Sequence, residues 1–325
     1  MKILYAASHY HNSGIQLSRF LNAMQDTDHT IKVAAYKSSS PKGQAIDWTL
    51  DALLNIIEPH RLSLDGDNLS VYLKQVQSWG PDLVISDLEY FTSKVANELN
   101  LPLWQYSSYL INFAISRQER NSLGIHRNYS EIVKHDAAHY KRAINVIDNS
   151  DRSFVCSHFG DIQKPLTLNS NFQWARPYHE VSKYHVPCQH FLTASLVGKN
   201  KRILAALKKY PDCVAFTDGL EHYDNPSIKD IGMKDEYYCN LKNSVFFACQ
   251  GYASFLADGF YNGKHSLIFP DYEDGEAIIS SQLSQSLGTG SIVSGLDDIA
   301  SITPMTTQPR YSNDIKYLHQ YIEEL

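Results

Sequence analysis

Three observations predict an α/β chain of two domains, each organised on a parallel sheet. Short apolar runs alternate with helically spaced apolar residues through the first half. A glycine-punctuated strand–turn–helix–strand–loop–helix unit fills Asn243 to Gly288. The 325 residues exceed one ordinary core and suit two domains of roughly 150 residues each. The divisions expected are 1–175, 176–311 and a terminal helix over 312–325.

In chain order, Lys2–Ala7 reads as a strand, and Leu17, Phe20, Leu21 and Met24 mark one helical face. Ile31–Tyr36 is a second strand, and Ile46, Leu50, Leu53, Leu54 and Ile57 recur at helical spacing. A helix from Leu69 to Trp79 stops at Gly80-Pro81, and Leu83–Ser86 is another strand. A short helix from Thr92 to Leu99 and a strand Leu103–Tyr106 follow, then a mainly helical stretch from Tyr109 to Ile147 and a strand Ser153–Cys156. Residues 160–184 are polar and irregular and read as a linker. Strand Phe191–Leu196, helix Lys201–Lys209 and strand Cys213–Thr217 lead into the unit at 243–288. The last helix starts from a Ser312 cap with Ile315, Leu318, Ile322 and Leu325 on one face.

Composition narrows the class. The 43% hydrophobic and 20% charged content is globular, and no run of about 18 apolar residues could span a bilayer. MKILYAASHYH is a strand pattern without the basic head of a signal peptide. Five scattered cysteines (156, 188, 213, 239 and 249) suit buried thiols in a reducing compartment, so a cytoplasmic protein is expected. The net charge of −6 is carried by the second half, which argues against a global field for nucleic acid. The loop ASHYHNSG lacks the glycines of a dinucleotide fingerprint, and neither a P-loop nor a G-x-S-x-G elbow occurs.

Within the 243–288 unit, Val245–Cys249 is a strand, Gln250-Gly251 a turn, Ser254–Tyr261 a helix, Ser266–Phe269 a strand and Ile278–Leu287 a helix. A helix N-terminus after a glycine turn suits a diphosphate, since its free N–H groups and dipole face the anion. In sequence this pattern resembles the donor half of GT-B glycosyltransferases. Gln250-Gly251 takes the turn, Asp258 the ribose-binding acid, Gly263-Lys264 the helix stop, Pro270 the strand end, Glu276 the acidic loop position and Gly288 the close. Ala277 departs from a common sugar-binding Gln, and Ser280-Ser281 from Asn-Ala. More weakly, MKILYAASHYHNSG and PDLVISDLEYF at 81–91 resemble the acceptor half.

The resemblance implies two Rossmann-like domains facing across a cleft, with the terminal helix packing back on the first. It implies transfer of a sugar from a nucleoside-diphosphate sugar, UDP-sugar by preference, to an acceptor hydroxyl, with no metal and no further cofactor. Gln250, Gly251 and Ser254 would meet the phosphates, although Ser254 serves equally as a helix cap. Asp258 would meet the ribose, and Asp274 and Glu276 the sugar. His11, and with less weight His9, lies in the loop after the first strand, where an imidazole can take the acceptor's proton. Asp87 ends a strand and is the alternative base or the partner of a histidine; a turn-capping carboxylate is its plainer role. Asp65-Gly66-Asp67 reads as a helix cap and not a metal site.

Arg117, Arg120, Arg127, Lys134, Lys141 and Arg142 make segment 117–142 locally basic, and Lys37 and Lys42 flank another loop. A solvated helix face is the simpler account, and DNA carrying hydroxymethylated bases is the sharper one. The expected acceptor is therefore a glycan, a small molecule or such a base. The rival from another class is a catalytically inactive nucleotide-sugar binder, suggested by Gly14 where the family carries a loop histidine and by Ala277.

Overall fold

A computed structural model describes residues 1–8, 13–25, 27–34, 67–125, 137–162, 166–179, 191–196, 200, 203–205, 212–217, 228–230, 234–294 and 315–325. The first half carries β1 (Lys2–Ala6), α1 (Ser13–Ala23), β2 (Thr30–Ala34), α2 (Asp67–Trp79), β3 (Leu83–Ser86), α3 (Tyr90–Glu98) and β4 (Leu103–Ser107). It continues through α4 (Ile111–Ala114), α5 (Arg117–Ser122), α6 (Ala137–Asp148), β5 (Arg152–Cys156) and β6 (Phe172–Ala175). These strands form one parallel sheet in the order β2-β1-β3-β4-β5-β6, with Ile3 opposite both Ile31 and Leu83. A parallel sheet covered on both faces needs apolar residues at successive positions, and Ile3, Leu4, Tyr5 and Ala6 are all fully buried.

The second half carries β7 (Leu192–Leu196), β8 (Cys213–Thr217), β9 (Ile228–Asp230), α7 (Lys234–Asn243), β10 (Phe246–Cys249) and α8 (Ala253–Tyr261). After these come β11 (Ser266–Ile268), α9 (Gly275–Ser286), β12 (Gly290–Ile292) and α10 (Leu318–Ile322). Its sheet, again parallel, runs β12-β11-β10-β7-β8-β9. Strand order reverses between β1 and β3 in the first sheet and between β7 and β10 in the second. Open α/β sheets take ligands outside the carboxyl ends of the strands at such switch points.

The halves meet through an apolar layer. Tyr109, Leu110 and Ile111 belong to one buried cluster with Tyr237, Leu241, Phe255, Leu256, Ile279 and Leu283. Leu318 and Ile322 of α10 join the first sheet's core beside Ile3, Tyr5, Trp104 and Phe154, so the chain's last helix lies on its first domain. Residues 160–184 are not linker throughout. Val155 pairs with Trp174, which makes β6 the edge of the first sheet. Its exposed Gln173 and half-buried Phe172 and Trp174 give no continuous apolar run, which is why composition conceals it. Ser312 and the predicted helices around residues 46–57 and 201–209 lie wholly or mainly outside the described residues.

Leu318 is almost fully buried. Leu318→Ala should lower the free energy of unfolding by about 2–4 kcal/mol in a denaturant titration. A loss well under about 1 kcal/mol would mean that the terminal helix does not share the first domain's core.

Candidate functional site

Both switch points bring polar groups into the seam between the halves. On the first sheet, Asp87 follows β3 directly, buried, and accepts a hydrogen bond from Ser107. Burial pushes its carboxyl up to about 7, with the Ser107 bond acting in the opposite sense. The next residue, Leu88, has φ +53°, a backbone region that costs a residue with Cβ roughly 1–2 kcal/mol. Its side chain is held in the core between the halves. Glu89 then caps α3, its two carboxylate oxygens accepting from Phe91 N (2.9 Å) and Thr92 N (2.5 Å). The tight turn thus points successive carboxyls to different tasks. His9 and His11 lie outside the described residues.

On the second sheet, Gly251 adopts φ +91° after β10. A Cβ there would stand 2.0 Å from Ser281 Oγ and 2.8 Å from the Ala277 carbonyl oxygen. The close approach in this structure is to α9, and the small residues Ala277 and Ser281 make room for it. Gln250 is buried, and its carbonyl accepts from Asp271 N at 3.1 Å. Helix α8 begins after Tyr252 with no side-chain cap. Ser254, in its first turn, is not the cap: its Oγ is buried without a hydrogen-bond partner among the described residues.

Asp274 caps α9 by accepting from Ala277 N at 2.9 Å. Glu276, in the first turn of α9, reaches to the start of α8 and across to the other half. Its Oε1 accepts from Ala253 N (3.0 Å) and its Oε2 from Ser108 Oγ (3.0 Å). Burial first, and then the neighbouring Asp274 charge, push the Glu276 carboxyl up to about 8. The Ser108 hydroxyl also lies 3.5 Å from Gln16 Oε1, and Gln16 Nε2 donates to the Tyr106 carbonyl at 3.1 Å.

Asp258 is fully buried inside α8. Its Oδ2 accepts from Arg19 Nη2 at 2.7 Å and from the Tyr237 hydroxyl at 3.0 Å. Arg19 Nη1 donates to the Ser254 carbonyl at 3.2 Å. Burial pushes the Asp258 carboxyl up against the pull of the Arg19 guanidinium. In this arrangement the expected ribose acid is engaged by the first half of the chain.

The structure therefore brings together Asp87, Gln250, Gly251, Ser254, Asp258, Asp274 and Glu276 along one seam. It adds Gln16, Arg19, Ser108 and Tyr237, which sequence reasoning passed over. The signal for Arg19 was a charged residue set beside the apolar stripe of α1, next to Phe20. No comparable sign marks Ser108. Among the described residues no group of three His, Cys, Asp or Glu is placed to hold a metal ion.

The two raised carboxyls fix a pH dependence. Asp87 and Glu276 start from ordinary values of 3.8 and 4.5 and stand near 7 and 8 in the folded chain. Below about pH 3 both are largely protonated, folded or unfolded. As pH rises from about 4 to 8 the unfolded chain ionises them first, so stability falls, and above about 8 the fall levels off. Chemical denaturation should show this decline between about pH 6.5 and 8; at lower pH the buried His158 and His179, held down to about 3 and 4, act in the opposite sense. Asp87→Asn and Glu276→Gln should each flatten it, by at most roughly 1.4 kcal/mol per pH unit. A slope unchanged in both variants would contradict the burial assigned to these groups.

No family model matches the chain, and no curated protein matches it either. Solved structures do. A glycosyltransferase of kitacinnamycin aligns at TM-score 0.55 with 16% identity, covering 93% of this chain and 87% of that one. The spinosyn rhamnosyltransferase SpnG complexed with thymidine diphosphate aligns at 0.53 with 12% identity, covering 89% and 85%. Acinetobacter baumannii MurG aligns at 0.51 with 10% identity, covering 90% and 85%. With two parallel six-stranded sheets and their switch points turned to one seam, the chain has the GT-B fold of these glycosyltransferases.

Proposed function

We propose that the chain is a metal-independent glycosyltransferase. In this reading it moves a hexosyl or pentosyl group from a nucleoside-diphosphate sugar to an acceptor hydroxyl. The observation that carries it is the Ser254 hydroxyl, buried with no hydrogen-bond partner among the described residues, in the first turn of α8 and shortly after the Gly251 turn. A buried hydroxyl without a partner is unfavourable unless something supplies one, and a phosphate oxygen at a helix N-terminus does so. Gln250 and Gly251 would flank that phosphate, Asp258 would meet the ribose, and Asp274 and Glu276 the sugar hydroxyls. The leaving diphosphate would be stabilised by helix N–H groups. Thymidine diphosphate in the SpnG complex supports a pyrimidine nucleotide, and UDP-sugar is the first donor to test.

On the acceptor side Asp87 stands at the other switch point, where a carboxyl titrating near 7 suits a general base. It acts either directly or by orienting His11, the first choice for base, with His9 behind it. The acceptor is a glycan or small molecule in the plainer form of this reading. A hydroxymethylated base in DNA is the other form, favoured by the exposed Arg117 on α5 within the basic segment 117–142.

The test is release of nucleoside diphosphate from a panel of UDP- and TDP-sugars with glycans, small hydroxylated compounds and hydroxymethylated duplex DNA as acceptors. Turnover separates an enzyme from an inactive sugar-nucleotide binder, which would bind donors and release nothing. His11→Ala should lower turnover about 10²-fold or more while donor binding persists. If Asp87→Asn does so and His11→Ala does not, the carboxylate is the base. DNA as acceptor also requires binding that weakens steeply with salt, and binding that is absent at low salt removes it.

A further inference from the structure

Arg19 belongs to the first half of the chain yet lies along the first turns of α8 in the second. Its Nη1 holds the Ser254 carbonyl at 3.2 Å and its Nη2 holds Asp258 at 2.7 Å. The Ser254 hydroxyl on that same turn is buried and has no partner among the described residues. Asp87, Asp258 and Glu276 all lie in this seam; Arg19 bonds the first turns of α8, whereas the guanidinium of Arg176 is held by Asp161 at the far end of that helix. A diphosphate entering at the start of α8 would therefore meet carboxyls on several sides and one guanidinium. A planar guanidinium fork matches phosphate oxygens as well as it matches a carboxylate.

Resting on the donor reading above, we infer that Arg19 is a donor-binding residue supplied by the first half of the chain. Its guanidinium passes from Asp258 to the diphosphate of a bound nucleoside diphosphate and leaves that carboxylate free for the ribose. Both partners sit on the same face of α8, so the exchange needs a side-chain rotation and no rearrangement of the helix. The step also joins donor binding to the seam, because the contact that tied the halves through Asp258 becomes a contact through the nucleotide.

The experiment is calorimetric titration of UDP and uridine, and of TDP and thymidine, into the full chain and its variants. The ratio of diphosphate to nucleoside affinity isolates the phosphate contribution. The unaltered chain serves as the reference, and R19Q/D258N removes both charges so that no lone buried charge is left to unfold the protein. The ratio should fall about tenfold or more from the unaltered chain to R19Q/D258N. R19K, which retains the buried charge but lacks the fork, should lower it severalfold against the unaltered chain. If Arg19 only fastens the halves, diphosphate and nucleoside will weaken together and the ratio will hold in both comparisons, which overturns the inference alone. Failure of the unaltered chain to bind either diphosphate would overturn the donor reading and this inference with it.

Discussion

An ion pair buried between two halves of a chain is expensive to form and more so to leave half-made, since removing one partner strands a charge in a poor solvent. Arg19 and Asp258 form such a pair, with their side chains 10% and 1% exposed. Tyr237 and the Ser254 carbonyl add hydrogen bonds to the pair, while Asp258 Oδ1 is buried with no hydrogen-bond partner among the described residues. The apolar layer of Tyr109, Leu110 and Ile111 against Phe255, Leu256 and Leu283 supplies the favourable burial that holds the halves together, and the ion pair sets their register. Side chains packed by area alone could slide; a carboxylate and a guanidinium at 2.7 Å cannot slide without losing each other.

Glu276 makes the second crossing, and its position is chemically pointed. It accepts the first N–H of α8, a group that any anion at that helix start would also seek. A carboxyl near pKa 8 and a diphosphate thus compete for the same donor, and a protonated carboxyl is the weaker competitor. The protein's own acid thus occupies the donor that an anion at this helix start would use.

Much of the fold was legible because fully buried parallel strands are short apolar runs, and glycine or proline marks their ends. Phe246–Cys249, Gly251 and Ser266–Ile268 could be placed from pattern alone. The edge strand at Phe172–Ala175 could not, since only Ala175 is fully buried and the exposed Gln173 interrupts its apolar residues. Spacing put Asp258 on the right helix and Asp87 at the right strand end. It could not say that Asp258 is fully buried, because its partner Arg19 lies 239 positions away in the chain. Likewise Gly251 was legible as a tight turn, while its contact with Ser281 depends on how α9 is laid against it. Long-range polar contacts leave no periodicity, so a sequence shows the groups but not the pairs.

The same logic recurs at the far end of α8. Tyr261, one turn beyond Asp258, donates its hydroxyl to Asp161, which lies after β5 in the first half. Arg176 holds both oxygens of that carboxylate at 2.8 Å, and its guanidinium also lies over the Tyr317 ring beside α10. His179 stacks on Tyr261 with ring centroids 3.6 Å apart, which closes the group from the side where the chain leaves the first sheet. Helix α8 is therefore fastened to the first half twice, each time by an arginine–aspartate pair completed by a tyrosine. The two fastenings differ in what surrounds them. Asp161 is enclosed by the chain's own crossing and by its terminal segment, whereas Asp258 lies one turn from Ser254, whose hydroxyl has no partner among the described residues.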